Sequence, residues 1–353
     1  MLKILLLRVV SDNKGDDMIA EAIKQGFRQS MVKISFTEIS VKEKVGCNAV
    51  NYINTFDAVI LGGSGLFVNH KFDSGFYFNC RPEFFDRIKI PLYIIGVGSN
   101  DNFKYSSYGK LKERTIANIK KLIGRAKFTW VRDNQTKNLL LSNGISDVVY
   151  IPCPVLAMGS LFGSSVDTDS PMSVSISFGK HGKYVSSVHD YLVVCYAKIL
   201  RRVLNEFDIN INFIAHRDID YDSYNDLVNR KEFRDDKEKF KFTLTNSPYI
   251  MNKLYSESMC HIGVYLHSNI IAFSNGCPVN ILGYDKKCKA FYEDIVKDNE
   301  LCTYNLLHNI NISMIYRAVI SSLHRCRGSL YAIKEQDKII QTLSGIARKI
   351  YLS

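Results

Sequence analysis

Short apolar runs alternate with longer amphipathic stretches through the first half of the chain. A run of four to eight apolar residues is typical of a buried strand, whereas apolar residues spaced three and four apart predict a helix. The pattern predicts strands at 3–10, 58–61, 92–97, 129–132 and 148–151, and helices at 18–30, 110–127 and 135–142. Strands that alternate with helices favour a parallel, doubly wound α/β sheet.

The same alternation restarts after residues 159–171, which are rich in Gly, Ser and Asp and are typical of a linker. Strands are predicted at 173–177, 209–215, 261–264 and 279–282, and helices at 188–207, 268–275 and 328–352. We therefore predict a Rossmann-like domain over 1–158, the linker over 159–171 and a second Rossmann-like domain over 172–327. An amphipathic helix over 328–353 would pack back across the domains. Two such domains would face a central cleft, with ligands at the carboxyl ends of the strands.

Composition excludes several classes of protein. The 353 residues are 46% hydrophobic and 23% charged, which excludes a disordered or fibrous chain. Nine scattered cysteines form no C-x-x-C pair, so neither a zinc ribbon nor a redox pair is predicted. Arg8 interrupts the apolar start, which is typical of a first strand rather than a signal peptide. No apolar run approaches the roughly 18 residues of a membrane-spanning helix, so we expect a cytoplasmic protein, able to lie on the inner face of the membrane.

The charge is unevenly distributed. The chain has 46 Lys and Arg residues and 35 Asp and Glu residues, a net charge of +11. Residues 1–150 contain 22 basic and 14 acidic residues, a net charge of +8. Residues 151–353 contain 24 basic and 21 acidic residues, a net charge of only +3. The predicted helix over 110–127 carries seven cations: Lys110, Lys112, Arg114, Lys120, Lys121, Arg125 and Lys127. This face could contact anionic lipid, and a solvated helix face explains it equally well. No nucleic-acid-binding motif accompanies the charge, so no nucleic acid partner is expected.

Three strand ends in the first half carry polar or glycine-rich sequences. The residues are Asn13, Asp16 and Asp17 after the first strand, Gly62, Gly63, Ser64 and Gly65 after the strand at 58–61, and Ser99 and Asn100 after the strand at 92–97. Glycines let a ligand approach the backbone, whose N–H groups can then bind an anion. The acids also suit a helix N-terminus, which is the purely structural alternative. The three loops predict a ligand-facing rim.

Polar and basic residues follow four predicted strands in the second half. They are Lys180 and His181, Arg217, the group Leu266, His267, Ser268 and Asn269, and Lys286. His267 lies between a strand and a helix, where it could act as a general acid or base or contact an anion; a capping or packed histidine is the structural alternative. Residues 218–222 have the D-x-D form of some metal-dependent sugar transferases. We interpret them as a solvated loop and predict no metal there.

Taken in order, these motifs resemble the polysaccharide pyruvyl transferase family. The resemblance runs from about residue 11 to 291. It rests on N-x-G-D-D at 13–17, GG-x-GL at 62–66, the Gly-x-Gly strand end at 96–98, Val131-Arg132-Asp133, and Leu266-His267 followed by Ala272, Gly276, Pro278 and Tyr284-Asp285-Lys286-Lys287. The resemblance implies two Rossmann-like domains in a GT-B-like arrangement.

The resemblance also implies a reaction. A pyruvyl group from phosphoenolpyruvate would form a ketal with two hydroxyls of a sugar, in a cell-surface polysaccharide or its lipid-linked precursor, with no other cofactor. His267 would protonate the methylene carbon of the donor. The other second-half residues named above would contact the donor, and the three first-half loops would face the acceptor.

The sequence departs from the family pattern at two positions. The family has Arg where this chain has Tyr265, and a second Arg near Gly179 and Lys180. Lys180 supplies charge but not the two-pronged geometry of a guanidinium. Two alternatives therefore stay open. One is a GT-B-type glycosyltransferase that uses a nucleotide sugar, and the other is a non-catalytic, glycan-binding relative.

Overall fold

The computed structural model describes residues 1–45, 47–99, 111–163, 172–180, 182–324 and 334–353, without the side chains of residues 47, 48 and 334. The chain divides into two compact units. The first comprises Met1–Ser11, Asp16–Ala157 and Lys334–Ser353, and the second comprises Asp12–Gly15 and Met158–Ile333. Each unit is built on a parallel sheet with helices, which confirms the predicted fold class.

The described residues form twelve strands. They are β1 Leu2–Arg8, β2 Ile34–Ser40, β3 Ala58–Gly62, β4 Leu92–Val97, β5 Ala126–Val131, β6 Val149–Tyr150, β7 Ser173–Ser177, β8 Asn210–Ala215, β9 Phe240–Leu244, β10 Cys260–Gly263, β11 Val279–Gly283 and β12 Thr303–Leu306.

Helices connect the strands. They are α1 Lys14–Arg28, α2 Cys47–Ile53, α3 Phe84–Arg87, α4 Glu113–Arg125, α5 Asn134–Leu141, α6 Met158–Phe162, α7 Gly182–Ser187, α8 His189–Glu206, α9 Asp220–Val228, α10 Pro248–Ser256, α11 Leu266–Ser274, α12 Lys286–Phe291, α13 Ile312–Leu323 and α14 Lys334–Leu352. Helix α6 occupies the start of the predicted linker, and residues 164–171 lie outside the described part of the chain.

Strand order fixes where each unit can bind a ligand. The first sheet runs β2-β1-β3-β4-β5-β6 and the second β12-β11-β10-β7-β8-β9. The direction of winding reverses between β1 and β3 in the first sheet, and between β7 and β10 in the second. Ligands of open α/β sheets bind outside the carboxyl ends of the strands at such a reversal.

The central strands are buried on both faces. Every residue of β3 and β7 is buried, as expected for a parallel sheet covered by helices. Phe67, Phe76 and Phe85 are fully buried in the first unit, and Phe178 and Phe213 in the second. Removing each such side chain from water stabilises the fold by about 1.5–3 kcal/mol.

The basic helix differs from its prediction. Helix α4 covers only Glu113–Arg125, Lys127 lies on β5, and Lys110 is outside the described residues. Lys121 pairs with Asp86 at 2.5 Å. Arg114 donates to the carbonyl of Asp73, and Arg125 to the carbonyls of Phe85 and Ile88. These three cations contact groups of their own unit. The helix is therefore shorter than predicted, while contact of its basic residues with anionic lipid stays a prediction.

Within the described residues, no helix combines the length and the apolar character that crossing a membrane requires.

Candidate functional site

The turn from β10 into α11 lies where the winding of the second sheet reverses, between β7 and β10. Tyr265 is the N-cap residue of α11 and has an extended backbone. Its carbonyl accepts hydrogen bonds from Ser268 Oγ at 2.7 Å and Asn269 Nδ2 at 2.8 Å. The predicted donor contacts Ser268 and Asn269 are thus fully buried and hold the turn together. His267 lies in the first turn of this helix, which begins two residues earlier than predicted, and is 8% exposed.

A buried polar network lies beneath the turn. His261 shares one hydrogen bond with Ser175 Oγ at 3.0 Å and another with Ser268 Oγ at 3.1 Å. Ser177 Oγ donates to Ser268 Oγ at 2.7 Å. Burial lowers the pKa of His261 to about 3, so its imidazole is neutral near pH 7. A neutral ring between hydroxyls fixes the start of α11 to β7 and β10.

Beside this network, Tyr265 and Asp220 form a buried pair. Tyr265 Oη donates to Asp220 Oδ1 at 2.5 Å. Asp220 Oδ2 accepts from the backbone N–H groups of His216, at 2.8 Å, and Arg217, at 3.0 Å. Burial raises the pKa of Asp220 to about 6, and these hydrogen bonds limit the rise. A Cβ on Gly179 would lie 1.9 Å from Asp220 Oδ1, so glycine is required for the carboxyl to fit.

The interpretation of residues 218–222 as a solvated loop is wrong. Asp220 begins α9 and is fully buried, because its carboxyl closes the β8–α9 turn and meets Tyr265. Among the described residues, no group of three or more His, Cys, Asp and Glu side chains is arranged to hold a metal.

The segment Asp12–Gly15 belongs to the second unit and reaches His267. The Lys14 N–H donates to the carbonyl of His216 at 2.9 Å. Arg217 pairs with Asp12 at 3.5 Å. A Cβ on Gly15 would lie 2.2 Å from His267 Nδ1, so the imidazole packs directly against the glycine backbone. The Asn13–Gly15 part of N-x-G-D-D and the Leu-His motif thus meet within the second unit.

The predicted donor-binding cations are dispersed. Lys180 pairs with Asp226 at 2.8 Å, a hydrogen bond that raises the pKa of Lys180. Lys286 is nearly buried at the start of α12, directly after the N-cap residue Asp285, while His181 lies outside the described residues. Leu266 is a buried first residue of α11. Arg217 pairs with Asp12, in the segment that reaches His267.

In the first unit, two of the predicted acceptor loops meet. Asp16 accepts hydrogen bonds from Ser11 Oγ at 2.7 Å and Ser64 Oγ at 3.0 Å. The carbonyl of Ser64 in turn accepts from the Gly98 N–H at 2.8 Å. Gly63 and Ser64 have φ angles of 69° and 63°, so the loop turns through the left-handed region. This arrangement links the strand ends of β1, β3 and β4.

Other predicted acceptor residues have structural partners. Asp17 pairs with Arg8 at 2.8 Å. Asn13 accepts from the Gly15 N–H at 3.1 Å within the second unit, and the Ser99 N–H donates to Thr136 Oγ1 at 2.8 Å. Gly62 ends β3, Gly65 follows the turn, and Asn100 lies outside the described residues.

One feature of the first unit was not predicted. A pocket of about 360 Å³ has an apolar floor and a charged rim. Its lining residues are Lys44, Val45, Val50, Asp73, Asn79, Cys80, Arg81, Glu83, Phe84 and Arg87. They come from three separate segments and share no motif, so no sequence signal could have grouped them.

Comparison with known families decides the classification. The family model described as polysaccharide pyruvyl transferase matches residues 13–286. The chain belongs to this family. The predicted resemblance is confirmed, and since this is a family of transferases, so is the prediction of an enzyme. In this transferase His267 stands at the position for which the resemblance implies the family histidine, and Tyr265 at the position for which it implies Arg.

Solved structures support the fold of the transferase. The S. aureus MnaA–UDP co-structure matches with a TM-score of 0.60 at 12% identity, over 100% of this chain and 97% of that chain. UDP-GlcNAc 2-epimerase from Methanocaldococcus jannaschii matches with a TM-score of 0.59 at 10% identity, over 100% of both chains. A putative UDP-N-acetylglucosamine 2-epimerase from Listeria monocytogenes gives 0.60 at 10% identity, over 100% and 97%. No curated protein matches the sequence.

Proposed function

We propose that this transferase moves a pyruvyl group from phosphoenolpyruvate to two hydroxyls of a sugar in a polysaccharide or its lipid-linked precursor. The contact between Gly15 and His267 carries the proposal. It brings two family motifs together at the reversal point of the second sheet, where an α/β protein binds its ligand. His267 is the general acid, at the start of α11.

The chemistry needs one proton donor. One acceptor hydroxyl oxygen bonds to C2 of phosphoenolpyruvate while C3 takes a proton from His267 and becomes a methyl group. The second hydroxyl oxygen then bonds to C2, and the bond from C2 to the phosphate oxygen breaks. Of the two hydroxyl protons, one replaces the proton that His267 gave and the other leaves with phosphate. In this proposal Arg217 contacts the donor phosphate; in the structure its counter-ion is Asp12.

The acceptor binds at the first unit in this proposal. Asp16 supplies a carboxylate and Ser64 a hydroxyl where the winding reverses between β1 and β3. Such groups can form hydrogen bonds with the hydroxyls of a sugar. The net charge of +8 in residues 1–150 favours an acidic glycan or a lipid-linked phosphate. The reaction takes place in the cytoplasm, which supplies phosphoenolpyruvate.

The test is a transfer assay with oligosaccharides that carry free pairs of hydroxyls. Phosphate release from phosphoenolpyruvate should depend on the oligosaccharide, whose mass should rise by one pyruvate ketal. His267→Gln should abolish both signals, while His324→Gln, at an exposed histidine after α13, should leave them unchanged. Phosphate release without a ketal, or full activity of His267→Gln, would contradict the proposal.

One observation favours a second candidate, a glycosyltransferase that uses a nucleotide sugar. Tyr265 and Asp220 fill the place where the family arginines would clamp an anionic donor, and above pH 6 the Asp220 carboxyl is itself an anion. Of the similar structures, the S. aureus MnaA structure is a complex with UDP and the M. jannaschii enzyme is a UDP-GlcNAc 2-epimerase. Isothermal titration with phosphoenolpyruvate, inorganic phosphate, UDP and UDP-GlcNAc separates the two candidates. Binding of UDP and UDP-GlcNAc without binding of phosphoenolpyruvate would favour the second.

A further inference from the structure

Gly15 leaves no room for a side chain beside His267. A Cβ at this position would lie 2.2 Å from His267 Nδ1, 2.9 Å from Cγ and 3.0 Å from Cβ. The first of these distances is far inside van der Waals contact. Both residues belong to the second unit.

The backbone of Gly15 does not itself require glycine. Gly15 is the second residue of α1 and is not among the glycines with a positive φ angle. Inside a helix, glycine is one of the least favourable residues, because it loses the most conformational freedom. The close approach of the imidazole is therefore the physical reason for glycine at this position.

Two contacts hold the segment Asp12–Gly15 against the rest of the second unit, and a third closes the turn within it. The Lys14 N–H donates to the carbonyl of His216, and within the segment the Gly15 N–H donates to Asn13 Oδ1. Arg217 also pairs with Asp12. A methyl group on residue 15 would therefore displace the imidazole rather than the backbone, since a side chain rotates more easily than a segment held by hydrogen bonds.

We infer that Gly15 is a positioning residue for His267. Its bare backbone fixes the position and tilt of the imidazole, whose Nδ1 atom lies directly against it. The inference rests on the proposed function of His267 and adds a role for the glycine of N-x-G-D-D. It assigns to that residue the orientation of the ring rather than contact with substrate.

The experiment compares Gly15→Ala with Gly124→Ala. Gly124 lies inside α4, and a Cβ there meets no atom within 4 Å, so it is a matched control for the change in helix propensity. We expect Gly15→Ala to shift the imidazole ¹⁵N resonances of His267. We also expect it to lower kcat by about tenfold or more, with little change in KM. Gly124→Ala should alter neither.

A second variant covers the case in which Gly15→Ala folds poorly. Removing the imidazole makes room for the new methyl group, so Gly15→Ala/His267→Ala should have a higher Tm than Gly15→Ala alone. Unchanged ¹⁵N resonances and rate in Gly15→Ala, or no recovery of Tm in the double variant, would overturn the inference. Full activity of His267→Gln would instead refute the proposed acid, while the resonances and the Tm still decide whether Gly15 seats the ring.

Discussion

Tyr265 Oη donates a hydrogen bond to Asp220 Oδ1 at 2.5 Å, and this contact links the β10–α11 turn to the β8–α9 turn. Gly179, at the end of β7, lies against both groups. The Tyr265 phenol, the Asp220 carboxyl and the Gly179 backbone therefore lie together beyond the carboxyl ends of β10, β8 and β7. The winding of the second sheet reverses between β7 and β10, beside these groups. Each of the three can be tested separately.

Gly179→Ala should destabilise the protein by about 1–3 kcal/mol, the range for overpacking a filled interior. The new methyl group would lie 1.9 Å from Asp220 Oδ1 and would force the carboxyl away from Tyr265. Urea unfolding measures the effect. Gly345→Ala, in α14 with no atom within 4 Å of its Cβ, should be neutral or slightly stabilising. Equal stability of the two variants would mean that the carboxyl moves aside freely.

The Asp220 carboxyl should make stability depend on pH in a defined window. Its pKa of about 6 lies above the ordinary value of 3.8, so the folded protein binds this proton more tightly than the unfolded chain. Its contribution to the free energy of unfolding is therefore fully present below pH 3.8 and is lost as pH rises through about 6. Asp220→Asn should remove this dependence, which urea unfolding across the window would detect.

Tyr265→Phe should move that window to higher pH. In the wild-type protein the hydrogen bond from Tyr265 lowers the pKa of Asp220, so its removal should raise that pKa. The variant also leaves Asp220 Oδ1 without this donor, which should cost about 1–3 kcal/mol above pH 6, where the carboxyl is charged. Tyr249→Phe, at an exposed tyrosine of α10, serves as the control. A window that stays in place in Tyr265→Phe would refute the coupling.

Two buried histidines should make stability depend on pH in the direction opposite to that of Asp220. Burial lowers the pKa values of His216 and His261 to about 3, below the ordinary 6.5. Both groups thus favour folding above pH 6.5, and that contribution is lost as pH falls from 6.5 towards 3. His261→Gln should weaken the loss of stability in acid, measured by thermal unfolding at several pH values. His324→Gln, at an exposed histidine, should retain the wild-type profile.

Ser64→Ala should loosen the loops of the first unit. It removes the hydroxyl that donates to Asp16 and keeps a Cβ at a φ angle of 63°. We expect a loss of about 0.5–1.5 kcal/mol, the usual value for one hydrogen bond. Ser64→Gly loses the same hydrogen bond but relieves the backbone, so it should be the more stable of the two. If these loops bind the acceptor, both variants should raise its KM and leave that of the donor unchanged.

The sequence was informative for the centre of each sheet and poor at the edges. Strands β4 and β7 have the predicted bounds. Strand β4 is an almost continuous apolar run, and β7 alternates serine with Val174 and Ile176, a regular period of two. Strands β2, β9 and β12 were not predicted. All three lie at a sheet edge, where half-exposed strands mix polar and apolar residues and lose the signal of a buried run.

The same contrast applies to the candidate site. His267 and Gly15 stand out in the sequence because a histidine at a strand end and a glycine before two acids form local patterns. The pair of Asp220 and Tyr265 does not, because the partners are 45 residues apart and only the fold brings them together. An acidic, tyrosine-containing stretch gives no sign that one of its carboxyls is buried.

Assignment of Asp12–Gly15 to the second unit has a consequence for how such chains diversify. The surroundings of His267 are encoded in two places, four residues that interrupt the first unit and a long segment more than a hundred residues further along the chain. A recombination event that exchanged the first half with that of a relative would also replace Gly15, against which the imidazole packs. The first-half partner in any viable chimaera must therefore bring its own small residue to this position.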